Sequence, residues 1–268
     1  MPVVRLSGAI GDFGRFSRGL SLSSIAGSLE KAFSLKKAPA VALSINSPGG
    51  SPVQSALIAQ RIRNLAAEKD KKVLGFVEDV GGSGGYWLAC AADEIFVDAS
   101  SIVGSIGVIY SGFGFKEAIE KLGIERRLYT AGERKSLLDA FQDQKPEDVE
   151  KLRSVQGRIH EEFKAYVRER RDGRLKVDEA DIFNGSFWTG REALELGIVD
   201  GIGHLRPVLK ERFGENVRLR AVTPSRGLFR RSLRFEGRDA GPFSFVQDMP
   251  AAALSAIEER LLWQRFGL

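Results

Sequence analysis

Apolar positions along this 268-residue chain follow two alternating rhythms. Val3-Val-Arg-Leu-Ser-Gly-Ala-Ile10 alternates as a strand does, whereas Leu22 to Phe33 repeats at helical spacing. Ala40 to Asn46 reads as a buried strand that ends in the turn Ser47-Pro-Gly-Gly50. A helix is predicted over Pro52 to Ala67, with Ile58, Ile62 and Leu65 on one stripe. Val73 to Glu78 then reads as a strand, followed by a glycine turn holding Ser83 and an apolar helix. Further strands are expected at Glu94–Asp98, Val103–Tyr110 and Glu125–Thr130, with a helix at Phe115–Leu122. This alternation predicts an α/β layer fold built on βαβ units.

After Lys135 the pattern turns helical. Pro146 to Arg171 is expected to be one long charged helix, with Phe163, Tyr166 and Val167 on a narrow apolar side. A short helix from Glu192 to Leu196 closes at Gly197, a residue suited to a C-terminal cap. Another helix starts near His204, and Val217–Val222 reads as a closing strand. Residues 224–246 are rich in Gly, Pro, Ser and Arg and read as a linker. The tail from Pro250 to Leu268 reads as an amphipathic helix, with Leu254, Ile257, Leu261 and Leu262 on one face. Such a helix docks on its own domain or a partner, with a membrane surface as the lesser alternative. The chain thus divides into a domain over 1–222 and a basic linker with its tail over 223–268.

Composition narrows the classes. With 43% hydrophobic and 28% charged residues, the chain suits an ordinary globular protein. No apolar run approaches the ~20 residues of a membrane span, and Met1-Pro-Val-Val leads straight into a strand pattern, not a signal sequence. The expectation is a cytoplasmic protein, or one separated from an N-terminal anchor, with peripheral membrane contact left open. The net charge of +5 owes much to Arg218, Arg220, Arg226, Arg230, Arg231, Arg234 and Arg238. Aromatics there are sparse (Phe229, Phe235) and no recognition motif is present, so nucleic acid is not expected as a partner. A solvated linker is the preferred reading, ahead of a membrane-surface or partner contact. Cys90 is the only cysteine, which excludes an intrachain disulfide and argues against a thiolate metal site. Its apolar neighbours make it a core residue, and no metal or cofactor is expected.

The candidate chemistry centres on Gly81-Gly-Ser83-Gly-Gly85. It satisfies the G-x-S-x-G pattern, a weak signal in a glycine-rich chain, for which a bland turn is the alternative. Ser44-Ile-Asn-Ser-Pro-Gly-Gly-Ser51 adds a strand that ends in exposed backbone N–H groups at a helix start, without the Lys-Ser/Thr of a phosphate-binding loop. If this loop lies beside the Ser83 turn, the N–H groups of Gly50 and Gly84 can form an oxyanion hole, where one donor is typically worth ~2.7–4 kcal/mol. The usual base is histidine, but His160 falls in the charged helix and His204 at a helix start, not on strand-end loops. Lys135 follows a strand exit and a glycine turn and precedes an apolar segment. A Ser–Lys dyad is therefore the better mechanism. Its lysine must be neutral to act, which needs a shift of about three pKa units, or ~4 kcal/mol.

Taken in order, these segments resemble the signal peptide peptidase A (protease IV) family of serine peptidases. The motifs are Ile45-Asn-Ser-Pro-Gly-Gly50, Gly81-Gly-Ser83-Gly-Gly-Tyr86 with Ala91-Ala-Asp93, and Ile102-Val-Gly-Ser-Ile-Gly-Val108. Gly132-Glu-Arg-Lys135-Ser and Phe187-Trp-Thr-Gly190 running to Gly197-Ile-Val-Asp200 complete the set. The resemblance implies Ser83 as nucleophile, Lys135 as general base, and Gly50 and Gly84 as oxyanion donors. It further implies that Ser105 orients the lysine and Asn46 braces the glycine loop, while Asp93 stabilises the fold. The implied fold is the Clp-protease/crotonase-like one of stacked ββα units with a helical C-terminal part. Family members form rings, in which a neighbouring subunit can complete each site. The expected activity is hydrolysis of short, mostly apolar peptides, cleaved signal peptides among the candidates, and the expected partners are those peptides and further copies of the chain. Two other readings stay open: a crotonase-like acyl-CoA enzyme using the same oxyanion hole, and a non-catalytic peptide-binding ring scaffold.

Overall fold

The computed structural model describes residues 1–11, 19–132, 134–223, 257 and 259–268. Its centre is a sheet whose hydrogen-bonded order is β6-β5-β3-β2-β1-β8. The strands are β1 (Pro2–Ser7), β2 (Ala40–Ser47), β3 (Lys72–Gly82), β4 (Glu94–Val97), β5 (Ile102–Gly104), β6 (Phe187–Thr189), β7 (Gly201–Ile202) and β8 (Arg220–Val222). All pairings are parallel except β5 with β6. The connecting helices are α1 (Leu22–Phe33), α2 (Pro52–Glu68), α3 (Gly84–Ala89) and α4 (Lys116–Lys121). Beyond them come α5 (Pro146–Arg170), α6 (Glu179–Ile182), α7 (Gly190–Leu196) and α8 (Leu205–Phe213). This is the α/β layer fold that the alternating pattern predicts.

The strands read as apolar runs because both faces of the sheet are covered. Val41, Leu43, Ile45, Val73 and Val77 point into the large core shared with α1, α2 and α3. The intervening Ala42, Leu74 and Phe76 join Phe96, Val208 and Leu209 in a smaller cluster under α8. β3 is the hub of this sheet. Its first half, Leu74–Val77, pairs with β4; its last residues, Val80–Gly82, pair with β5. One strand thus runs from the core to the site at its C-terminal end.

The long helix α5 docks through its expected apolar side. Trp87 of α3 stacks on Phe163 at 4.5 Å and on Tyr166 at 5.6 Å. At the end of α5, buried Arg171 donates to the Gly197 carbonyl and pairs with Asp200 at 2.7 Å. Asp200 in turn accepts from the Ile95 N–H, and the Tyr86 hydroxyl donates to the Ile198 carbonyl at 2.6 Å. Gly197 takes the left-handed cap conformation, φ 79°.

Three expectations are corrected. The Val103–Tyr110 strand is cut to Ile102–Gly104, because positive φ at Gly104 and Ser105 turns the chain out of the sheet. Glu125–Thr130 forms no strand: the segment is exposed, Tyr129 at 89%, and no strand among the described residues supplies a ladder. In the tail, Ile257 and Leu261 are exposed, while Leu262 is half-buried and Phe266 is buried. The docking face is that of Leu262 and Phe266, one helical turn apart, because Phe266 brings the largest apolar surface to the body of the protein. The expected linker over 224–246, with Arg226 to Arg238, lies outside the described residues, as does Leu254.

Candidate active site

Ser83 stands where β3 meets α3. Its backbone has φ 51° and ψ −121°, a region that L-residues avoid, and its N–H donates to the Gly104 carbonyl at 2.7 Å. The flanking glycines let the strand pass directly into the helix at this sharp corner. Ser83 itself is half-buried and opens on a cavity of about 530 Å³, bounded by Ile10, Gly50, Pro52, Val108 and Leu262 among others.

The glycine loop after β2 lies against this corner. A Cβ added to Gly49 would sit 2.7 Å from the Ser83 Cβ and 2.8 Å from the Gly84 nitrogen, so only glycine permits the approach. Ile10 holds the loop from the other side: its N–H donates to the Gly49 carbonyl at 2.8 Å, and its carbonyl accepts from Ser51 at 2.7 Å. That bridge leaves the Gly50 N–H outside the ladder. Gly84 is the first residue of α3, so its N–H has no intrahelical acceptor either. Gly50, Ser83 and Gly84 line one small pocket, an arrangement that suits a carbonyl oxygen that gains negative charge.

Sequence reasoning passed over the serines that hold this loop. Ser47 donates to the Gly8 carbonyl at 2.7 Å and accepts from the Gly49 N–H at 3.3 Å. Ser51 caps α2 by accepting from Gln54, and Ser55 packs against Gly84. A serine at the first helical turn after Pro-Gly-Gly is a capping signal, and it was the available clue. Asn46 spans the next strand, donating to Asp79 at 2.6 Å and accepting from the Val80 N–H.

Residues 66–216, more than half of the chain, match peptidase family S49. The chain belongs to this family of serine peptidases. It is 52% identical, over its whole length, to a Brucella abortus protein named Na(+)/H(+) antiporter NhaA, of which it covers 37%. It is 34% identical over 63% of its length to a putative protease of Synechocystis, covering 60% of that protein. Over 68% of its length it is 30% identical to a putative signal peptide peptidase SppA of Enterococcus faecium, covering 52% of it. The chain therefore spans less than two thirds of these relatives. No helix among its described residues is long and apolar enough to cross a membrane.

S49 membership assigns the sheet and its helices to the Clp-protease/crotonase-like fold. In this S49 chain Ser105, with φ 53°, is buried immediately after β5 and lines a second cavity with His160 and Arg265. His160 shares a hydrogen bond with the Ile106 carbonyl at 3.0 Å. His204 is exposed beside Asp98 at 3.4 Å. Neither histidine lines a cavity at Ser83. Asp93 accepts from the Val73 N–H and pairs with Arg63 at 2.8 Å, a bracing role. Cys90 is buried in α3, and burial pushes its thiol up to about 11.

Lys135 is exposed on an arm formed by residues 107–132 and 134–145, and it does not line the Ser83 cavities. The arm is knitted to itself. Phe115 packs between Phe113 and Phe141, Arg126 lies 5.0 Å over the Phe141 ring and pairs with Asp139, and the Phe115 N–H donates to the Ala140 carbonyl. The helix α4 within it buries no residue, and Ile109, Tyr110, Phe113, Leu122 and Ile124 are exposed.

Proposed function

We propose that this chain is a serine endopeptidase for short, mostly apolar peptides, with Ser83 as nucleophile and Lys135 as general base. The strained corner at Ser83 carries this reading: the serine shares a pocket with Gly50 and Gly84, whose N–H groups have no hydrogen-bond acceptor among the described residues. The neutral Lys135 amine takes the proton from the Ser83 hydroxyl as its oxygen attacks the peptide carbonyl. The oxyanion rests on the N–H groups of Gly50 and Gly84. The lysine then gives its proton to the departing amine, leaving an acyl ester on Ser83. Water, deprotonated by the same amine, hydrolyses that ester and restores the enzyme. The peptide lies extended along a sheet edge by backbone pairing.

Lys135 reaches Ser83 of a neighbouring copy in a ring-like homo-oligomer. The exposed apolar arm supports this, because a second copy would cover its surface and carry its lysine to the next site. Ser105, Asn46 and the two glycines then serve one composite centre. A location on the cytoplasmic side, with peripheral membrane contact, fits the chain's basic charge and the absence of a spanning helix among its described residues.

The test is covalent labelling with a fluorophosphonate, combined with product analysis from a diverse peptide library. The wild-type protein should label at Ser83 and cut apolar peptides. Ser83→Ala and Lys135→Ala should each lose both activities while keeping the same melting curve and assembly. Full cleavage by the Lys135→Ala protein rejects the dyad. Binding of a CoA thioester without any serine labelling supports the acyl-CoA alternative instead.

A further inference from the structure

The turn that follows β5 is held from two sides. Positive φ at Gly104 and Ser105 takes the chain out of the sheet, and Ile106 then lies fully buried. On one side the Ser105 N–H donates to the Ser186 carbonyl at 2.6 Å. Gly107 lies so close to Gly185 that an added Cβ would stand 3.2 Å from the Gly185 Cα. On the other side α5 reaches across: the Ile106 carbonyl lies 3.0 Å from the His160 Nε2. A carbonyl oxygen only accepts, so Nε2 carries the hydrogen. The imidazole is placed by its neighbour Phe163, three residues on along α5, which stacks on Trp87.

Two groups depend on where this turn sits. Ser105, only 4% exposed, lines a cavity of about 280 Å³ with His160, and its hydroxyl has no hydrogen-bond partner among the described residues. The arm that carries Lys135 begins at Gly107. Gly107, Val108 and Ile109 line both this cavity and the one onto which Ser83 opens, so the arm starts in a wall that the two cavities share.

We propose that His160 is a positioning residue of the composite centre. By donating to the Ile106 carbonyl it fixes the turn that aims the Ser105 hydroxyl and sets the direction in which the arm leaves the sheet. It touches neither substrate nor the reacting atoms. Its Nε2 is engaged by the carbonyl, and the Nε2–H is present whether or not Nδ1 is protonated, so the latch works in either charge state. Arg265 lines the same cavity, and Glu161, paired with Lys164, follows His160 on α5. The proposal rests on the reading of Ser83 and Lys135 as the reacting pair.

Two full-length variants separate the donor from the ring. His160→Phe keeps a ring and loses the donor, whereas His160→Gln loses the ring and keeps an N–H at the place of Nε2. His160→Phe should lower kcat for peptide cleavage, and the rate of fluorophosphonate labelling at Ser83, roughly tenfold or more with KM unchanged, because only the alignment of the reacting groups is lost. His160→Gln should recover most of both rates and keep the acid limb of the wild-type pH profile, which belongs to Lys135. Wild-type rates in His160→Phe, or a His160→Gln protein as slow as His160→Phe, overturn the proposal. Hydrogen exchange needs no catalysis. Amides of residues 105–109 should exchange about tenfold faster in His160→Phe than in the wild type or His160→Gln, with β3 and α3 as protected as before. Equal exchange at 105–109 overturns the latch, and so does faster exchange throughout β3 and α3, the mark of general loosening. A wild-type protein that never labels at Ser83 would refute the catalytic reading, while the exchange result would still decide what His160 does at the turn.

Discussion

At Ser83 the needs of folding and of chemistry oppose each other. A serine at φ 51° stores strain that glycine would relieve, and every other residue of the turn from Gly81 to Gly85 is glycine. Ser83→Gly should therefore be more stable than Ser83→Ala by about 1–2 kcal/mol in urea unfolding, while both are inactive. Equal stability of the two would mean that the corner is not strained. Tyr166 gives a second residue-scale test. Its ring stacks on Trp87, but its buried hydroxyl has no hydrogen-bond partner among the described residues. Tyr166→Phe keeps the stack and removes the unpaired group, so it should leave stability unchanged or raise it by up to about 1 kcal/mol. The sequence made Ser83 legible because glycine spacing marks a special backbone position. It left the pairing of the Tyr166 hydroxyl illegible, because that depends on atoms of other elements.

The elements read most clearly from the sequence were those whose partners are close and covered. The β2–α2 and β3–α3 units emerge with their turns in place, since apolar runs, Pro at a helix start and glycine at the corner all point the same way. Glu125–Thr130 has the apolar residues of a strand but no ladder partner among the described residues, and a pattern alone cannot supply one. Illegible too was the polar clasp that ties α5 to α7 and β4 through Arg171 and Asp200. Burial alone would raise the Asp200 carboxyl. The hydrogen bond and charge of Arg171, with the Ile95 N–H, outweigh burial and hold it below its ordinary value of 3.8. A carboxyl depressed on folding contributes stability above its unfolded pKa and loses it as pH falls through the folded value. Urea midpoints measured against pH should therefore decline below about pH 4, and Asp200→Asn should flatten that decline. At neutral pH the same variant leaves Arg171 buried without its counter-charge and should cost about 3–5 kcal/mol. An Asp200→Asn protein as stable as the wild type at pH 7 would show that the clasp carries no such load.

For the whole molecule, the decisive relation is between the proposed nucleophile, fixed in the sheet, and the proposed base, a lysine carried on an exposed arm. Ser83 is held by backbone contacts from three directions: Gly104, Gly49 and its own helix. The Lys135 N–H donates to the Gly132 carbonyl of its own arm, and the arm's apolar residues are left facing outward. A chain that folded only for itself would bury Tyr110, Phe113 and Ile124, since each exposed ring or aliphatic group forgoes roughly 1.5–3 kcal/mol of burial. On the proposed reading a second copy covers them, and the active unit is then an assembly and not one chain. Subunit mixing tests this directly. Ser83→Ala and Lys135→Ala chains are each inactive alone, but a site that takes its serine from one chain and its lysine from the next is rebuilt when the two are unfolded together and co-assembled. Random mixing in equal amounts should restore about a quarter of the wild-type sites. The number of sites labelled by fluorophosphonate and the peptide turnover should rise together. No recovery, in an assembly shown by mass to contain both chains, would place serine and lysine in the same subunit and require the arm to fold back over its own sheet.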